Sequence, residues 1–286
     1  MTAYLDEAGL AELWAKIDQR ASLNELMPAN AGAHNSVYRG KNITSKFNDG
    51  SLFTSISSGT FDDVFVGDYF TCSCKGVSGV VDTTDPDNPV VTASATAASN
   101  TTFLIAHLDK DYNKGDTALN KHHAVVIPQV SLGTAPMNAT NTTDGGYIGS
   151  AMYTTVLPIV KQNLFDAFGQ AHIIKRRAYL SNAQSNGYAS GGDWYDSYVE
   201  LMSENEVYGS RMRSNTNNVS ELYNTGIDYG QLAIFTLAPQ TITTRQWYWL
   251  RAVGVAWNFC GVYYSGHASY GHASYVGGVR PRFLIG

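Results

Sequence analysis

The chain has 286 residues and a formal net charge of −5, and charged residues make up only 15% of it, well below the roughly 25% of ordinary soluble domains. Ser, Thr, Asn and Gly supply much of the polarity instead, which suits an extracellular or virion protein. The acidic balance leaves no broad basic face, so nucleic acid is not expected as a partner.

Two kinds of targeting segment are missing from the sequence. It contains no run of about eighteen apolar residues, so membrane insertion is not expected. It opens with no basic-plus-apolar signal segment, so the general secretion route is not expected either. A virion component that is released by lysis would need no signal.

The first predicted element is an N-terminal helix. Four apolar side chains recur at i, i+3, i+4 and i+7, the spacing of one helix face: Leu10, Leu13, Trp14 and Ile17. Asp6 can cap this helix, and Pro28 ends any continuation. A helix of about fifteen residues is marginal alone, so its apolar stripe must pack on its own domain or in a bundle with copies of itself. We divide the chain into an attachment or oligomerisation helix (1–27), a polar connector (28–50) and a main domain (51–286).

The first part of the main domain is predicted to be rich in strands. Residues 51–79 have a strand-like pattern, and residues 82–89 are a turn cluster. Residues 93–100 are predicted to be a loop of small residues. Residues 103–108 and 124–127 are short apolar runs, which are typical of buried strands.

A second helix is predicted from residue 148 to residue 168. Pro158 would clash four residues back, so it kinks this helix or begins a new one in its first turn, and Gly169 is a plausible stop. Residues 182–193 and 214–220 are rich in Asn, Ser and Gly and are predicted to be surface loops.

Candidate metal-binding and catalytic residues are few. His122 and His123 would point to opposite faces of a strand and are poor joint ligands. Three cysteines cannot all pair internally, and the Cys72-x-Cys74 spacing is better explained by buried thiols. Carboxylates cluster late in the chain and could form a catalytic pair, a calcium site or buried hydrogen bonds, between which spacing cannot choose: Asp193, Asp196, Glu200, Glu204 and Glu206. We expect no cofactor.

The last forty or so residues have two strand-like ends and an unusual middle. Residues 245–252 and 277–285 have the β-branched and aromatic content of buried strands. Between them, rings alternate with Gly, Ala and Ser, and the segment 266–270 is repeated at once as 271–275. A period of five fits neither a strand nor a helix, so a continuous regular element could not keep both units on one face.

This composition is that of recognition surfaces, in which Tyr and Trp supply rigid contact area and Ser, Gly and Asn add adaptable hydrogen bonds. We therefore predict that the insert 252–276 displays a ligand-binding face. The alternative is that the same rings fill a β core. The predicted contact residues are Trp257, Asn258, Phe259, Val262, Tyr263, Tyr264, His267, Tyr270, His272 and Tyr275.

These residues also carry a resemblance. The segment Trp247-x-Trp-Leu-Arg251, the aromatic insert and Gly278-Val-Arg-Pro281 resemble the C-terminal half of a C-type-lectin-like domain. The type is the one found in formylglycine-generating-enzyme-like proteins and in the variable proteins of diversity-generating retroelements. Residues 59–68, 145–155 and 199–203 are similar to phage tail or fibre proteins that bear such domains. The resemblance implies an α+β fold with short twisted antiparallel sheets, about two helices and much irregular loop.

For function, the resemblance implies a non-enzymatic phage tail or fibre tip protein that binds a host bacterial surface receptor, protein or glycan, through the insert. Its other partners would be phage tail proteins and copies of itself, with a trimer favoured, and some contact positions would be hypervariable. Trp257-Asn-Phe259 departs from the Trp-Asn-Asp of calcium-dependent lectins, so calcium-dependent sugar binding is not expected. Two alternatives are a structural virion subunit and a formylglycine-generating-type enzyme, but Cys260 lacks the second thiol of that chemistry.

Overall fold

The structure is a computed structural model that describes residues 9–12, 31–214 and 230–286. Within these residues, eleven strands form one mixed sheet and two more form a separate hairpin. The strands are β1 (Tyr69–Asp82), β2 (Val90–Leu108), β3 (Ala124–Pro128), β4 (Gly133–Ala135), β5 (Ile173–Ile174), β6 (Arg176–Ser185), β7 (Tyr188–Ser197), β8 (Val199–Leu201), β9 (Tyr248–Val255), β10 (Asn258–Val262), β11 (Ala268–His272), β12 (Gly277–Gly278) and β13 (Pro281–Ile285).

The sheet has the order β11-β10-β9-β12-β4-β1-β2-β3-β13-β5, with β8 also paired to β13, while β6 pairs with β7. The β1–β4 and β9–β12 pairs are parallel. Mixed helix and strand were predicted correctly. The expectation of short sheets was wrong, because eleven strands form one large sheet. Its strands from the carboxyl end, β12 and β13, lie inside the sheet, between β9 and β4 and between β3 and β5.

Helices cover the sheet and connect its strands. They are α1 (Ala31–His34), α2 (Thr44–Asn48), α3 (Ser51–Ser57), α4 (Leu157–Phe168), α5 (Glu204–Tyr208) and α6 (Ala233–Leu237), with a π-helical turn at Met152–Val156 and 3₁₀ turns at Gln170–His172 and Pro239–Thr241. Pro158 lies in the first turn of α4 and Gly169 ends it with φ +80°, as the sequence predicted. No helix in the described part of the chain has the length and apolar character needed to cross a membrane.

The core lies on both faces of the sheet. Strand β3 is buried throughout, because Val126 contributes to one apolar cluster while Val125 and Ile127 contribute to the other. Phe103 and Phe283 each lie 5.1 Å from the ring of Phe168 on α4. A short strand that is covered on both faces explains the continuous apolar run in the sequence.

Three local predictions were wrong. Residues 51–57 form a helix, not a strand, because Leu52 and Ile56 are four residues apart and lie on one buried helix face. Residues 93–100 belong to strand β2. The predicted loop 182–193 is most of the β6–β7 hairpin, which turns at Asn186-Gly187 with both φ angles positive, the Asn-Gly signal for a two-residue hairpin turn.

The predicted connector is also part of the folded domain. His34 is buried, its Nδ1 lies 2.8 Å from the carbonyl of Val64, and its ring stacks on Phe65 at 4.5 Å. Arg39 makes ion pairs with Asp63 and Asp68. Residues 31–48 therefore pack on the main domain instead of linking it to something else.

Candidate functional site

The predicted contact face lies on two hairpins at one end of the sheet. Strands β9, β10 and β11 are consecutive, and β11 is the terminal strand in the sheet order. Residues 256–257 turn between β9 and β10, and residues 263–267 turn between β10 and β11. Gly266 has φ +91° and donates its N–H to the carbonyl of Tyr263 at 2.8 Å, a conformation that favours glycine.

Seven of the predicted contact residues reach the surface. Five rings are about a third to a half exposed: Trp257 (52%), Tyr263 (36%), Tyr264 (54%), Tyr270 (49%) and Tyr275 (55%). His267 is also exposed and His272 is half-buried. We call these seven residues the aromatic strip.

The aromatic strip has two ends that are joined by β11. At one end, the ring of Tyr263 lies 4.1 Å from that of Tyr264 and 4.8 Å from that of His267. At the other end, His272 and Tyr275 meet edge to face at 5.0 Å. Strand β11 has five residues, which at about 3.4 Å each separates the two ends by roughly 17 Å.

Three predicted contact residues are buried, and their assignment to the surface was wrong. Asn258, Phe259 and Val262 lie on β10, all five residues of which are buried. Because β10 is flanked by β9 and β11 and covered on both faces, successive side chains enter packed regions instead of alternating with solvent. These three residues belong to the support of the aromatic strip.

Packing around two tryptophans explains Gly271 of the repeat and Gly277 after it. Trp247 and Trp249 lie 4.4 Å apart, and Trp249 Nε1 donates to the carbonyl of Ala135 at 2.9 Å. A Cβ on Gly271 would lie 3.2 Å from Cη2 of both indoles, and one on Gly277 would lie 2.7 Å from Trp247 Cη2. The two repeat units therefore have different structural roles, since Gly266 makes a turn and Gly271 makes room for indoles.

An alternating ring of buried charges joins residues of β6, β8, β9, β13 and α5. We call it the ion ring, and in order it consists of Arg176, Asp111, Arg282, Glu206, Arg251 and Glu200. Each guanidinium bridges two carboxylates, with N···O distances such as 2.7 Å for Arg176–Glu200 and 3.0 Å for Arg251–Glu206. Three positive and three negative groups balance, which buried charges require.

The ion ring accounts for part of the predicted carboxylate cluster and for one motif arginine, Arg251. Glu200 and Glu206 belong to it, while Asp196 pairs at the surface with Lys175 and Arg177. The cavity beside the ring has a volume of about 20 Å³, room for about one water molecule. The ring is therefore a structural feature with no space for a ligand.

Arg280, the arginine of the Gly-Val-Arg-Pro motif, is held in a different way. It is completely buried, and it has no carboxylate partner among the described residues. Its Nε donates to the carbonyl of Pro128 at 3.0 Å, and its Nη1 donates to Thr241 O and to Tyr248 Oη, both at 3.1 Å. It thereby joins β3, the turn before β9 and β9 itself.

The histidines and cysteines have structural surroundings. His122 Nδ1 lies 2.7 Å from Asp109 Oδ2, and His123 Nε2 accepts the N–H of Asp111 at 3.0 Å. Among the described residues, no group of three or more His, Cys, Asp or Glu side chains could hold a metal ion. All three cysteines are free thiols, and Cys260 is fully buried. Burial raises the pKa of Cys260 well above its usual range, and Glu204 adds to this.

Two arginines border the aromatic strip that the sequence did not single out. Arg213 is exposed, and its guanidinium carbon lies 5.8 Å from the ring centroid of Tyr270. Arg245 is exposed and has φ +60°. A sequence signal existed for Arg245, because residues 229–286 contain four arginines and no Asp or Glu.

The oligomerisation stripe is described only in part. Residues 9–12 are helical and Leu10 is 46% exposed. The other predicted stripe residues, Leu13, Trp14 and Ile17, lie outside the described residues.

No protein-family model, curated protein or solved structure that was compared with the chain matches it.

Proposed function

We propose that this chain is a non-enzymatic recognition protein that binds a host bacterial surface receptor through the aromatic strip, as the tip protein of a phage tail or fibre would. The observation that carries this proposal is the exposure of five large rings on one pair of hairpins. Trp257 and the four tyrosines of the strip are each about a third to a half exposed. In interfaces, Trp, Tyr and Arg are the residue types that contribute most to affinity.

The energetics of the strip support binding. Burying apolar surface stabilises by about 25 cal/mol per Å², so rings left in solvent forgo stabilisation that folding could have used. A contiguous exposed apolar patch of several hundred Å² is uncommon on a monomer and usually marks an interaction site. The buried support, from Phe259 to the Trp247–Trp249 pair, holds the rings in place before binding, which lowers the entropic cost of association.

The phage assignment draws on the sequence resemblance. In this proposal residues 31–286 adopt a variant of the C-type-lectin-like fold in which the aromatic strip is the ligand face. The N-terminal helix, whose Leu10 is exposed, attaches the chain to other tail proteins or forms a homo-oligomer, for which we favour a trimer. Such a protein acts on the virion and outside the cell after release.

The two alternatives differ from this proposal in what the described residues must do. An enzyme of the formylglycine-generating type would use Cys260 on its substrate, but that thiol is completely buried. A structural virion subunit would use the same rings against its neighbours, and its adsorption to cells would not depend on them.

The test compares adsorption of labelled protein to a panel of candidate gut bacteria. The variant replaces four exposed tyrosines together with alanine: Tyr263, Tyr264, Tyr270 and Tyr275. The matched control replaces Val80, Val90 and Val130, which are exposed to a similar extent at 53–54% and lie outside the strip. We expect wild type and control to adsorb to at least one strain and the tyrosine variant to lose most adsorption. Equal adsorption by all three proteins would refute the proposal.

A further inference from the structure

Charge is distributed unevenly along this chain. The net charge is −5, and residues 229–286 contribute four arginines without any Asp or Glu, so residues 1–228 have a net charge of −9. Of these four arginines, Arg251, Arg280 and Arg282 are buried in the scaffold. The stretch that bears the whole aromatic strip therefore presents Arg245 to solvent and has no Asp or Glu side chain.

The backbone around Arg213 is fixed by a buried carboxylate. Glu204 is 2% exposed, and it accepts the N–H groups of Met212, Arg213 and Ser214 at 3.2, 2.8 and 2.8 Å. Three hydrogen bonds to one ionisable acceptor hold this turn firmly. The side chain of Arg213 is consequently directed to Tyr270, and its Nε donates a long 3.4 Å bond to the carbonyl of Ala268.

Arg245 is joined to the other end of the strip by one hydroxyl group. Thr243 Oγ1 donates to the carbonyl of Tyr264 at 2.6 Å and accepts the N–H of Arg245 at 3.2 Å. The left-handed φ of +60° at Arg245 is a conformation that an arginine rarely adopts without a reason in the surrounding structure. The two exposed arginines thus border the strip at separate points.

Both arginines differ from many exposed cations elsewhere in the described residues. Three exposed cations have carboxylate partners, Lys41 with Asp63, Lys75 with Asp166 and Lys175 with Asp196, and the half-buried Arg177 pairs with Asp116. Neither Arg213 nor Arg245 has one within the described part of the chain. The Arg213 guanidinium lies beside the Tyr270 ring, and the backbone of Arg245 is tied to that of Tyr264 through Thr243. An exposed guanidinium that lacks a carboxylate partner is suited to bind an anion that arrives with a ligand.

We propose that the epitope bound by the aromatic strip is acidic, and that Arg213 and Arg245 pair with its carboxylates. This inference rests on the proposed function. The partner it fits is a protein, because Tyr, Trp, Met and Arg, the residue types of this surface, are enriched in protein–protein interfaces. The five half-exposed rings leave roughly 500 Å² of ring surface accessible to a partner. Met212, which is 55% exposed, and the two arginines add to this area. The total approaches the ~800 Å² that each partner buries in a standard interface.

The experiment measures equilibrium adsorption of the full chain to intact cells of a strain that binds wild type, at low and at physiological salt. Arg213→Gln and Arg245→Gln are each compared with Lys121→Gln, which removes an exposed positive charge on the loop before β3, seven strands from β11 in the sheet order. We expect each arginine variant to bind about tenfold more weakly than wild type and to lose part of its salt dependence. Lys121→Gln should bind like wild type.

The outcomes separate this inference from the proposed function. If the four-tyrosine variant loses adsorption while both arginine variants bind like wild type, the acidic epitope is refuted and the recognition surface is not. If wild type adsorbs to no strain, both are refuted. Cells treated with protease should lose adsorption and cells treated with periodate should keep it; the reverse result would refute the protein epitope in favour of a glycan.

Discussion

Removing one guanidinium from the ion ring tests whether this buried charge network stabilises the fold. Arg282 is 2% exposed and pairs with both Asp111 and Glu206. Arg282→Met keeps much of the side-chain volume but leaves three carboxylates facing two guanidinium groups. Taking one partner from a buried pair costs about 3–5 kcal/mol, because the remaining charge stays buried and uncompensated. That is a large share of the 5–15 kcal/mol that separates most folded proteins from their unfolded state.

A second substitution distinguishes charge balance from packing. Asp111→Asn should destabilise the wild type, since Asp111 also pairs with Arg176 at 2.9 Å. In the Arg282→Met background the same change restores equal numbers of positive and negative groups. We therefore expect the double variant to be more stable than the sum of the single effects predicts, by about 1–3 kcal/mol, the usual range of coupling between contacting residues.

The measurement is equilibrium unfolding in urea, followed by tryptophan fluorescence. Arg177→Met is the matched control, because Arg177 makes two ion pairs at the surface with Asp116 and Asp196, where screening by water leaves little net effect. An Arg282→Met protein within about 1 kcal/mol of wild type, or a double variant whose loss equals the sum of the single losses, would contradict this account of the ion ring.

Two further predictions concern the pH dependence of stability and the packing of two glycines against the indole rings. Burial raises the pKa of Glu206, but the guanidinium groups of the ion ring outweigh it and bring that pKa down from 4.5 to about 2. Its contribution is therefore complete above about pH 4.5 and is lost as the pH falls towards 2; a melting temperature that stays constant from pH 5 to pH 2.5 would contradict this. Gly277→Ala places a Cβ 2.7 Å from Trp247 and 2.8 Å from Trp249, whereas Gly271→Ala meets both indoles at 3.2 Å. Gly277→Ala should lower the free energy of unfolding by about 1–3 kcal/mol, and Gly271→Ala should lower it by less. Both losses are measured by urea unfolding. Equal losses for the two variants would contradict this account of the packing.

Strands and helices with a strong local pattern were predictable from the sequence. Residues 103–108 and 124–127 lie in β2 and β3, because apolar runs between turns fit strands that are buried on both faces. Residues 93–100 were not predictable in the same way. Residues 93–100 are Ala, Ser, Thr and Asn, and Ala and Asn are depleted in strands. Their place in β2 comes from pairing with β1, which runs from Val90 to Asn100 with a bulge at Thr96–Ala97, a tertiary effect that no local pattern records.

The exposed part of the candidate site was predictable from the composition of its segment, in which aromatic residues alternate with Gly, Ala and Ser. The five exposed rings of the aromatic strip were all among the predicted residues. Burial of Val262 was not foreseen, and burial of Phe259 was only the alternative to its exposure, because it depends on layers that cover β10 on both faces. Arg213 was missed for a similar reason, since its position depends on a Glu204 carboxylate nine residues earlier.

The repeat at 266–275, whose middle forms β11, contains buried and exposed positions. In each Gly-His-Ala-Ser-Tyr unit the alanine is buried, as Ala268 and Ala273 are, whereas the closing tyrosine is about half exposed. Substitutions at Tyr270 and Tyr275 change the exposed contact surface without disturbing the hydrophobic core. New specificities can therefore evolve at these tyrosines while selection holds the neighbouring alanines constant.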